Sequence, residues 1–309
     1  MTSLAPSGLA YAPVKGVALM AAAVAAFSAQ DATMKWLTDG YGVPQILFFG
    51  RLLAVPLAVA LALRAGGMGL LKTRRPAQHA LRGLYVIATM LLFTYALKLL
   101  PIADAIAICF AAPLFMTALS APLLSERVGP RRWAAVAVGF GGVIVILQPS
   151  GAGFGLPGLL ALGSAGAYAL LLIASRKLTA TENGPCLMFW NSISMVAVMG
   201  VAMAWDFRVP VGIDIAVFAG AAVFGALGQL FVTEAFRYGE VSLLAPIEYT
   251  ALIWATLYGW LLWGHLPTLT VLAGAAIIIA SSAYILQREA RLGKQQAAAL
   301  NPVASPADR

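Results

Sequence analysis

Apolar stretches of about twenty residues alternate with short polar loops along almost the whole chain. The hydrocarbon core of a bilayer is about 30 Å thick, and a helix crosses it with roughly 20 apolar residues. Several stretches contain Gly or Pro, as in Ala112-Pro113 and Ala245-Pro246, which membrane helices tolerate and which often mark a kink or a close helix contact. The pattern predicts an all-α integral membrane protein with ten spanning helices, near residues 14–37, 43–63, 81–100, 103–123, 133–148, 156–175, 185–204, 214–236, 241–263 and 268–287.

The composition agrees with a membrane protein. Hydrophobic residues make up 61% of the 309 residues and charged residues 10%, against about 25% in an average soluble domain. The net charge of +8 is compatible with nucleic-acid binding, but Lys and Arg occur in short clusters between apolar stretches, so we interpret them as topology signals. Cys109 and Cys186 lie in apolar stretches without metal-ligand spacing. We therefore expect packing roles for both cysteines, and no metal, cofactor or nucleic acid.

The basic residues also predict the orientation of the helices. Most of the 20 Lys and Arg residues fall at the termini and in the even-numbered loops. The positive-inside rule then places both termini of a multi-pass inner (plasma) membrane protein in the cytoplasm. A cleavable signal peptide ending near Ala26-Phe27-Ser28 is the alternative for the N-terminus, but the repeat described next requires this helix. The polar tail, 288–309, is predicted to be a disordered cytoplasmic segment.

The chain repeats itself after about 140 residues. The repeat pairs Thr94 with Thr233, for example, and also Lys35 with Arg176. We predict two five-helix repeats, 14–148 and 155–287. Because five is an odd number, the second repeat enters the membrane with the opposite orientation. Inverted repeats of this kind are typical of secondary transporters, in which the substrate site lies between the halves near the midplane.

Two long stretches carry a family resemblance. They are YALKLLPIADAIAICFAAPLFMTALSAPLLSERVGPRRWAAVAVGFGGVIVIL (95–147) and EAFRYGEVSLLAPIEYTALIWATLYGWLLWG (234–264). Both resemble EamA-type transporters of the drug/metabolite transporter superfamily. The resemblance implies carriage of a small organic metabolite across the bilayer, by a monomer or homodimer. One departure from the family pattern is His265, which stands where Glu126 stands in the first repeat and where the family has an acid.

Three charged residues near the predicted outer surface are candidates for substrate binding or gating. At about 1.5 Å per residue, Asp31 lies roughly 24 Å from the cytoplasmic end of its helix, at nearly the same level as Arg51 on the next helix. Lys35 follows Asp31 by one helical turn, so pairs of Asp31 with Arg51 or with Lys35 are both open. Ionisable groups in membrane helices are costly and often functional. The alternatives are a structural ion pair, and a Lys35 side chain that reaches the outer headgroups.

Two acidic residues in the second repeat are candidates for proton coupling. Glu248, in APIEY, lies roughly 9 Å from the cytoplasmic side, where a buried carboxylate can take up and release a proton during transport. Its alternative is a paired acid, bonded to Arg237, Tyr249 or Thr250. Glu234 is also a candidate, with pairing to Arg237 or Lys177 as the structural alternative.

Neutral residues with aromatic, amide or hydroxyl groups complete the predicted substrate site. Such side chains stack on rings and hydrogen-bond the polar edges of a planar or amino-acid-like ligand. Helix packing and interfacial anchoring are the alternatives for each of them. They are Thr94, Tyr95, Tyr168, Trp190, Asn191, Gln229 and Tyr249.

Three classes of function are compatible with this chain. The first is a secondary transporter of an amino-acid-like, vitamin or nucleoside-type metabolite, driven by the substrate gradient, by exchange or by protons. No GxxxxGK[ST] motif is present, so ATP does not drive it directly. The second is a membrane enzyme acting on a lipid or isoprenoid, although the chain lacks the acid or His cluster at one face that such chemistry needs. The third is a scaffold or drug-efflux component. We expect the transporter and no enzyme.

Overall fold

The computed structural model describes residues 12–124, 128–148, 155–178, 182–239 and 241–300. Its helices follow the predicted spans, and nine described helices are individually long and apolar enough to cross a membrane. The tenth, α9, is divided into three consecutive segments. In chain order, the spans are α1 Pro13–Leu37, α2 Val43–Ala65, α3 Pro76–Leu99, α4 Ile102–Leu124, α5 Pro130–Leu147, α6 Leu156–Leu178, α7 Gly184–Ala202, α8 Ile213–Tyr238, α9 Val241–Trp263 and α10 Leu269–Leu300.

Two boundaries differ from the prediction. Helix α3 begins at Pro76 rather than near residue 81, because proline fits the first turn of a helix, where its missing N–H removes no bond. Helix α10 continues to Leu300, so the prediction of a disordered tail from residue 288 is wrong as far as that residue. The segment QREARLGKQQAAAL is rich in strong helix formers, and extending an existing helix avoids the cost of nucleation. Residues 301–309 and Glu126 lie outside the described residues.

Both predicted proline positions mark breaks in helices. Helix α4 is interrupted at Phe110 and Ala111, directly before Ala112-Pro113. Helix α9 passes through a 3-10 segment, Ala245–Thr250, before it resumes as Ala251–Trp263. The two breaks occupy the same position in the two repeats, since the register of the repeat pairs Phe110 with Tyr249. Their rings touch edge-to-face, with centroids 5.2 Å apart.

Helix packing follows the internal repeat. Helix α1 packs along α8, and α6, its equivalent, packs along α3, the equivalent of α8. The pairs α2–α7, α4–α9 and α5–α10 each join a helix to its own counterpart. Exchanging the two repeats converts the α1–α8 contact into the α6–α3 contact and leaves the other three pairs unchanged. A pseudo-twofold axis between the halves requires this pattern. The fold is therefore a ten-helix membrane bundle made of two inverted repeats.

Small residues allow α5 and α10 to cross closely. A Cβ on Gly142 would lie 2.8 Å from the carbonyl oxygen of Gly274, and one on Gly274 would lie 2.6 Å from that of Gly142. At the symmetry-related point of the same crossing, the hydroxyl of Ser281 donates a hydrogen bond to the Ala135 carbonyl. Backbones that approach this closely are typical of membrane helix interfaces.

Candidate functional site

A polar cavity of about 580 Å³ lies among α2, α3, α7 and α8. Its lining includes Arg64, Gly184 and Arg237, which lie at the helix ends that the charge pattern predicts to be cytoplasmic. Polar side chains from all four helices reach its walls. The polar and charged lining residues are Arg51, Arg64, Arg82, Asn191, Ser192, Gln229, Thr233, Glu234 and Arg237.

Arg51 brings a positive charge to this cavity from within α2. Its side chain is half-buried, and its Nη2 contacts the Met90 sulfur at 3.8 Å. The Asp31 carboxylate on α1 is close enough for the two charges to attract each other, although no direct ion pair within 4.0 Å joins these two described residues. Asp31 also acts electrostatically on Cys109, at the break of α4. The two charges therefore attract each other over more than 4.0 Å, and the predicted Asp31–Arg51 ion pair is not formed between these described residues.

The helix breaks place reactive side chains near the pseudo-twofold axis. The register that pairs Phe110 with Tyr249 also pairs Cys109 with Glu248. Glu248 is exposed in the helix bundle and acts electrostatically on Tyr168 of α6. Its charge also reaches Tyr249, whereas the other half presents the neutral Cys109 thiol at the equivalent point, 3.7 Å from the Ala161 carbonyl.

Four of the predicted site residues line the cavity. They are Arg51, Asn191, Gln229 and Glu234. The side-chain oxygen of Asn191 is buried and accepts no hydrogen bond from the described protein, so it is available to a ligand. Glu234 forms an ion pair with Arg237 at 2.9 Å, which is its structural alternative, at the cavity mouth.

Several other candidates lie outside the cavity. Lys35 donates hydrogen bonds of 2.6 Å to the carbonyls of Leu97 and Leu100, so it caps the end of α3 and does not turn towards Asp31. Tyr95 is exposed on the outer surface of the bundle. Thr94 is fully buried, and its hydroxyl has no partner among the described residues.

Trp190 is part of a set of hydrogen bonds between the start of α7 and the preceding α2–α3 loop. Its indole N–H donates to the Leu71 carbonyl at 3.1 Å, and the Asn183 amide donates to the Leu70 carbonyl at 2.9 Å. These bonds join the start of α7 to the loop between α2 and α3. We call this set the inner interlock.

An equivalent outer interlock joins the start of α2 to the loop between α7 and α8. The fully buried Gln45 donates to the Arg208 carbonyl at 2.7 Å, and its side-chain oxygen accepts from the Arg208 backbone N–H at 3.0 Å. Tyr41 adds a hydrogen bond of 2.9 Å to Asp214. Both ends of the α2–α7 pair are thus fixed by loop contacts.

Sequence reasoning missed several cavity residues. Arg82 appeared only as part of an apolar segment, yet its guanidinium lies at the cavity wall and donates to Ser175 and to the Leu187 carbonyl. Serine and threonine are common in membrane helices, so residue type alone did not single out Ser192 or Thr233. Thr233 had one available signal, because it pairs with Thr94 in the internal repeat.

Comparisons with known proteins agree with this architecture. The EamA-like transporter family matches residues 14–148 and 156–287. The chain is 30% identical over 307 residues to a riboflavin transporter of Rhizobium johnstonii, which covers 96% of this chain and 100% of that protein. It is 28% identical to an S-adenosylmethionine uptake transporter of Rickettsia prowazekii, with 78% and 81% of the two chains covered.

A solved crystal structure shares the fold, with a TM-score of 0.63 and 20% identity over 91% of this chain and 99% of that one. The two family matches coincide with the two repeats seen in the packing. The expected alternative of a lipid-modifying enzyme is set aside, because the family and the relatives are transporters. This chain belongs to the EamA-like transporter family and is a multi-pass membrane transporter for a small molecule.

Proposed function

We propose that this protein carries riboflavin, or a closely related planar heterocycle, by alternating access through the cavity among α2, α3, α7 and α8. The observation that carries the proposal is the charge and size of this cavity. Four arginines and one glutamate line it, and about 580 Å³ is ample for a tricyclic ring with a polar side chain.

The charge of the cavity separates the two substrates named for the relatives. S-adenosylmethionine carries a sulfonium and an ammonium group, so an arginine-rich wall repels it on balance. Riboflavin is neutral and has electron-rich carbonyl and ring-nitrogen acceptors, which guanidinium groups bind well. The excess of arginine therefore favours a flavin over a sulfonium cation.

The hydrogen-bonding groups of the cavity suit such a ring. The pyrimidine edge of a flavin alternates donors and acceptors, and the amides of Asn191 and Gln229 offer both kinds of group. The unpartnered side-chain oxygen of Asn191 can accept from the ring N–H. The ribityl hydroxyls would meet Ser192 and Thr233.

The repeats support an alternating-access mechanism. The lining of the cavity extends to the predicted cytoplasmic helix ends, which supports an inward-facing conformation with both termini in the cytoplasm. The helix breaks at Phe110 and at Ala245–Thr250 meet at the pseudo-twofold axis, where one half can rock against the other. Glu248 at the second break is our candidate for proton coupling, and Asp31 links this axis to Arg51.

Counterflow in liposomes tests the substrate. Purified protein is reconstituted in vesicles loaded with unlabelled riboflavin, and entry of labelled riboflavin is followed with and without a pH gradient. Saturable entry is expected, with strong competition by unlabelled flavin and weak competition by S-adenosylmethionine.

Each outcome of this experiment is informative. Absence of saturable riboflavin entry would overturn the flavin assignment, and counterflow of labelled S-adenosylmethionine in the same vesicles would then favour the sulfonium substrate. Stimulation by an imposed pH gradient would support proton coupling, whereas equal flux without a gradient would support exchange or facilitated movement.

A further inference from the structure

Three side chains of metal-ligand type meet at the inner interlock, beside the cavity. His79 on α3, Glu182 before α7 and Cys186 on α7 offer a nitrogen, an oxygen and a sulfur atom, all within 4.8 Å of one another. The Cys186 Sγ lies 3.4 Å from Oε2 of Glu182, and Nε2 of His79 lies 3.9 Å from its Oε1. His79 is distant in sequence from Glu182 and Cys186, so the spacing of the cysteines gave no sign of the cluster.

The imidazole of this cluster is buried without a hydrogen-bond partner. The His79 side chain is 1% exposed, and neither ring nitrogen has a hydrogen bond to the described protein. A buried polar group left unpaired is costly, so such a group in a native fold calls for a further partner. The ring is held in place by Trp190, whose centroid is 5.6 Å away and whose N–H is fixed on Leu71.

The outer interlock is closed by side-chain amide hydrogen bonds that the inner interlock lacks at the equivalent position. In the register of the repeat, Gln45 corresponds to Cys186, and both lie in the first turn of their helices. The Gln45 amide uses its donor and its acceptor on the Arg208 backbone, which closes that interlock with hydrogen bonds alone. At the inner position, a thiol replaces the amide and an imidazole and a carboxylate converge on it.

The charges around the cluster permit a cation. The Glu182 carboxylate accepts hydrogen bonds from the Thr73 hydroxyl at 2.8 Å and from the Cys186 thiol at 3.4 Å. Arg82 is the nearby positive charge, and its guanidinium is engaged by Ser175 and the Leu187 carbonyl.

We propose that His79, Glu182 and Cys186 form a binding site for a divalent transition metal, with zinc as the best match. Thiolate, imidazole and carboxylate together are the ligand set of zinc sites, whereas Mg²⁺ and Ca²⁺ take oxygen ligands. Zinc–sulfur and zinc–nitrogen bonds of about 2.3 and 2.0 Å place tetrahedral ligand atoms roughly 3.5 Å apart, close to the separations seen here. Water would occupy the fourth position.

Such a metal would cross-link the α2–α3 region to the start of α7. Cys186 lies between Pro185 and Leu187, which both line the cavity mouth. The ion would therefore fix one wall of the cavity on the predicted cytoplasmic side. This inference does not depend on the identity of the transported molecule.

Cobalt provides a direct spectroscopic test. Untagged protein in detergent is stripped with a chelator and titrated with Co²⁺, which gives thiolate-to-metal absorption in the near ultraviolet when sulfur binds. We expect one Co²⁺ per chain with this absorption, and displacement of Co²⁺ by Zn²⁺. Absence of the absorption in the wild-type protein would overturn the proposal.

The second cysteine supplies the matched control. Cys186→Ser should abolish the thiolate absorption, whereas Cys109→Ser should retain it, because Cys109 lies at the helix break far from the cluster. Absorption that survives Cys186→Ser would refute the site.

Two further variants keep the test valid if Cys186→Ser does not fold. His79→Gln and Glu182→Gln should each weaken Co²⁺ binding by more than about tenfold, because each removes a ligand. Folding of each metal-free variant is checked by circular dichroism and size-exclusion chromatography. Unchanged Co²⁺ affinity in both folded variants would contradict the assignment.

Discussion

The two repeats share their architecture but differ in chemistry at their equivalent helix breaks. The first break presents Cys109 and Phe110, and the second presents Glu248 and Tyr249. Phe110 and Tyr249 pack against each other, so the symmetry is kept where the rings form a structural contact. Beside these rings, the first repeat carries the neutral Cys109 thiol and the second repeat carries the Glu248 carboxyl group. We propose that the two halves differ in role, with the second half contributing the titrating group.

The largest effect is expected at the α5–α10 crossing, where two equivalent helices pack closely. Gly142→Leu places a side chain against the Gly274 carbonyl and Ile277, and such overpacking costs about 1–3 kcal/mol or more. We expect a strong loss of monodisperse protein in size-exclusion chromatography. Gly141→Leu is the matched control, since a Cβ there meets nothing within 4 Å. Equal yields of the two variants would show that this crossing is not closely packed.

The next effect concerns the positive charge in the cavity. Arg51→Gln removes the positive charge that attracts Asp31 and a hydrogen-bond donor from the cavity. Initial riboflavin flux in liposomes should fall by at least about tenfold. Arg74→Gln, on the exposed loop before α3, should leave the flux unchanged. A normal flux in Arg51→Gln would remove this residue from the substrate site.

Replacing the side chains at the two helix breaks is expected to affect only the response to a pH gradient. Glu248→Gln should abolish the stimulation by a pH gradient but leave counterflow within about twofold, because the amide cannot carry a proton. Cys109→Ser, at the equivalent position, should alter neither quantity. If Glu248→Gln keeps its response to the gradient, the titrating group lies elsewhere, with Asp31 as the next residue to replace.

The smallest effect is expected at the outer end of α1. Lys35→Met removes two hydrogen bonds to the end of α3 without touching the cavity. Hydrogen bonds to charged groups contribute about 1.5–3 kcal/mol, so the melting temperature should drop by a few degrees. Transport measured below that temperature should be unaffected, and Lys72→Met, on an exposed loop, provides the stability control. A transport defect without a stability defect would indicate that Lys35 takes part in gating.

Sequence patterns predicted the fold better than the site. The apolar period and the prolines Pro113 and Pro246 located the helices and their breaks, because the bilayer imposes a length and proline removes a hydrogen bond. The tail was mispredicted because polarity alone does not decide whether a helix ends, and residues beyond Arg288 continue α10.

The site depended on contacts between distant segments. Lys35 was an attractive partner for Asp31 by spacing, but the α3 carbonyls, far away in sequence, bind its ammonium group. Arg82 and the cluster of His79, Glu182 and Cys186 became visible only once the inner interlock brought three elements together. Internal symmetry was the one sequence signal that reached across such distances.

Occupancy of the cavity by the substrate is the central claim, and cysteine protection tests it most directly. Asn191→Cys and Gln229→Cys are made in a Cys109→Ser background and labelled with a thiol reagent in the presence and absence of riboflavin. Variants that still transport are compared with Lys72→Cys, which lies on an exposed loop outside the cavity. We predict that riboflavin slows labelling at both cavity positions and leaves Lys72→Cys unchanged. Labelling that stays equally fast at riboflavin concentrations that saturate transport would contradict the account.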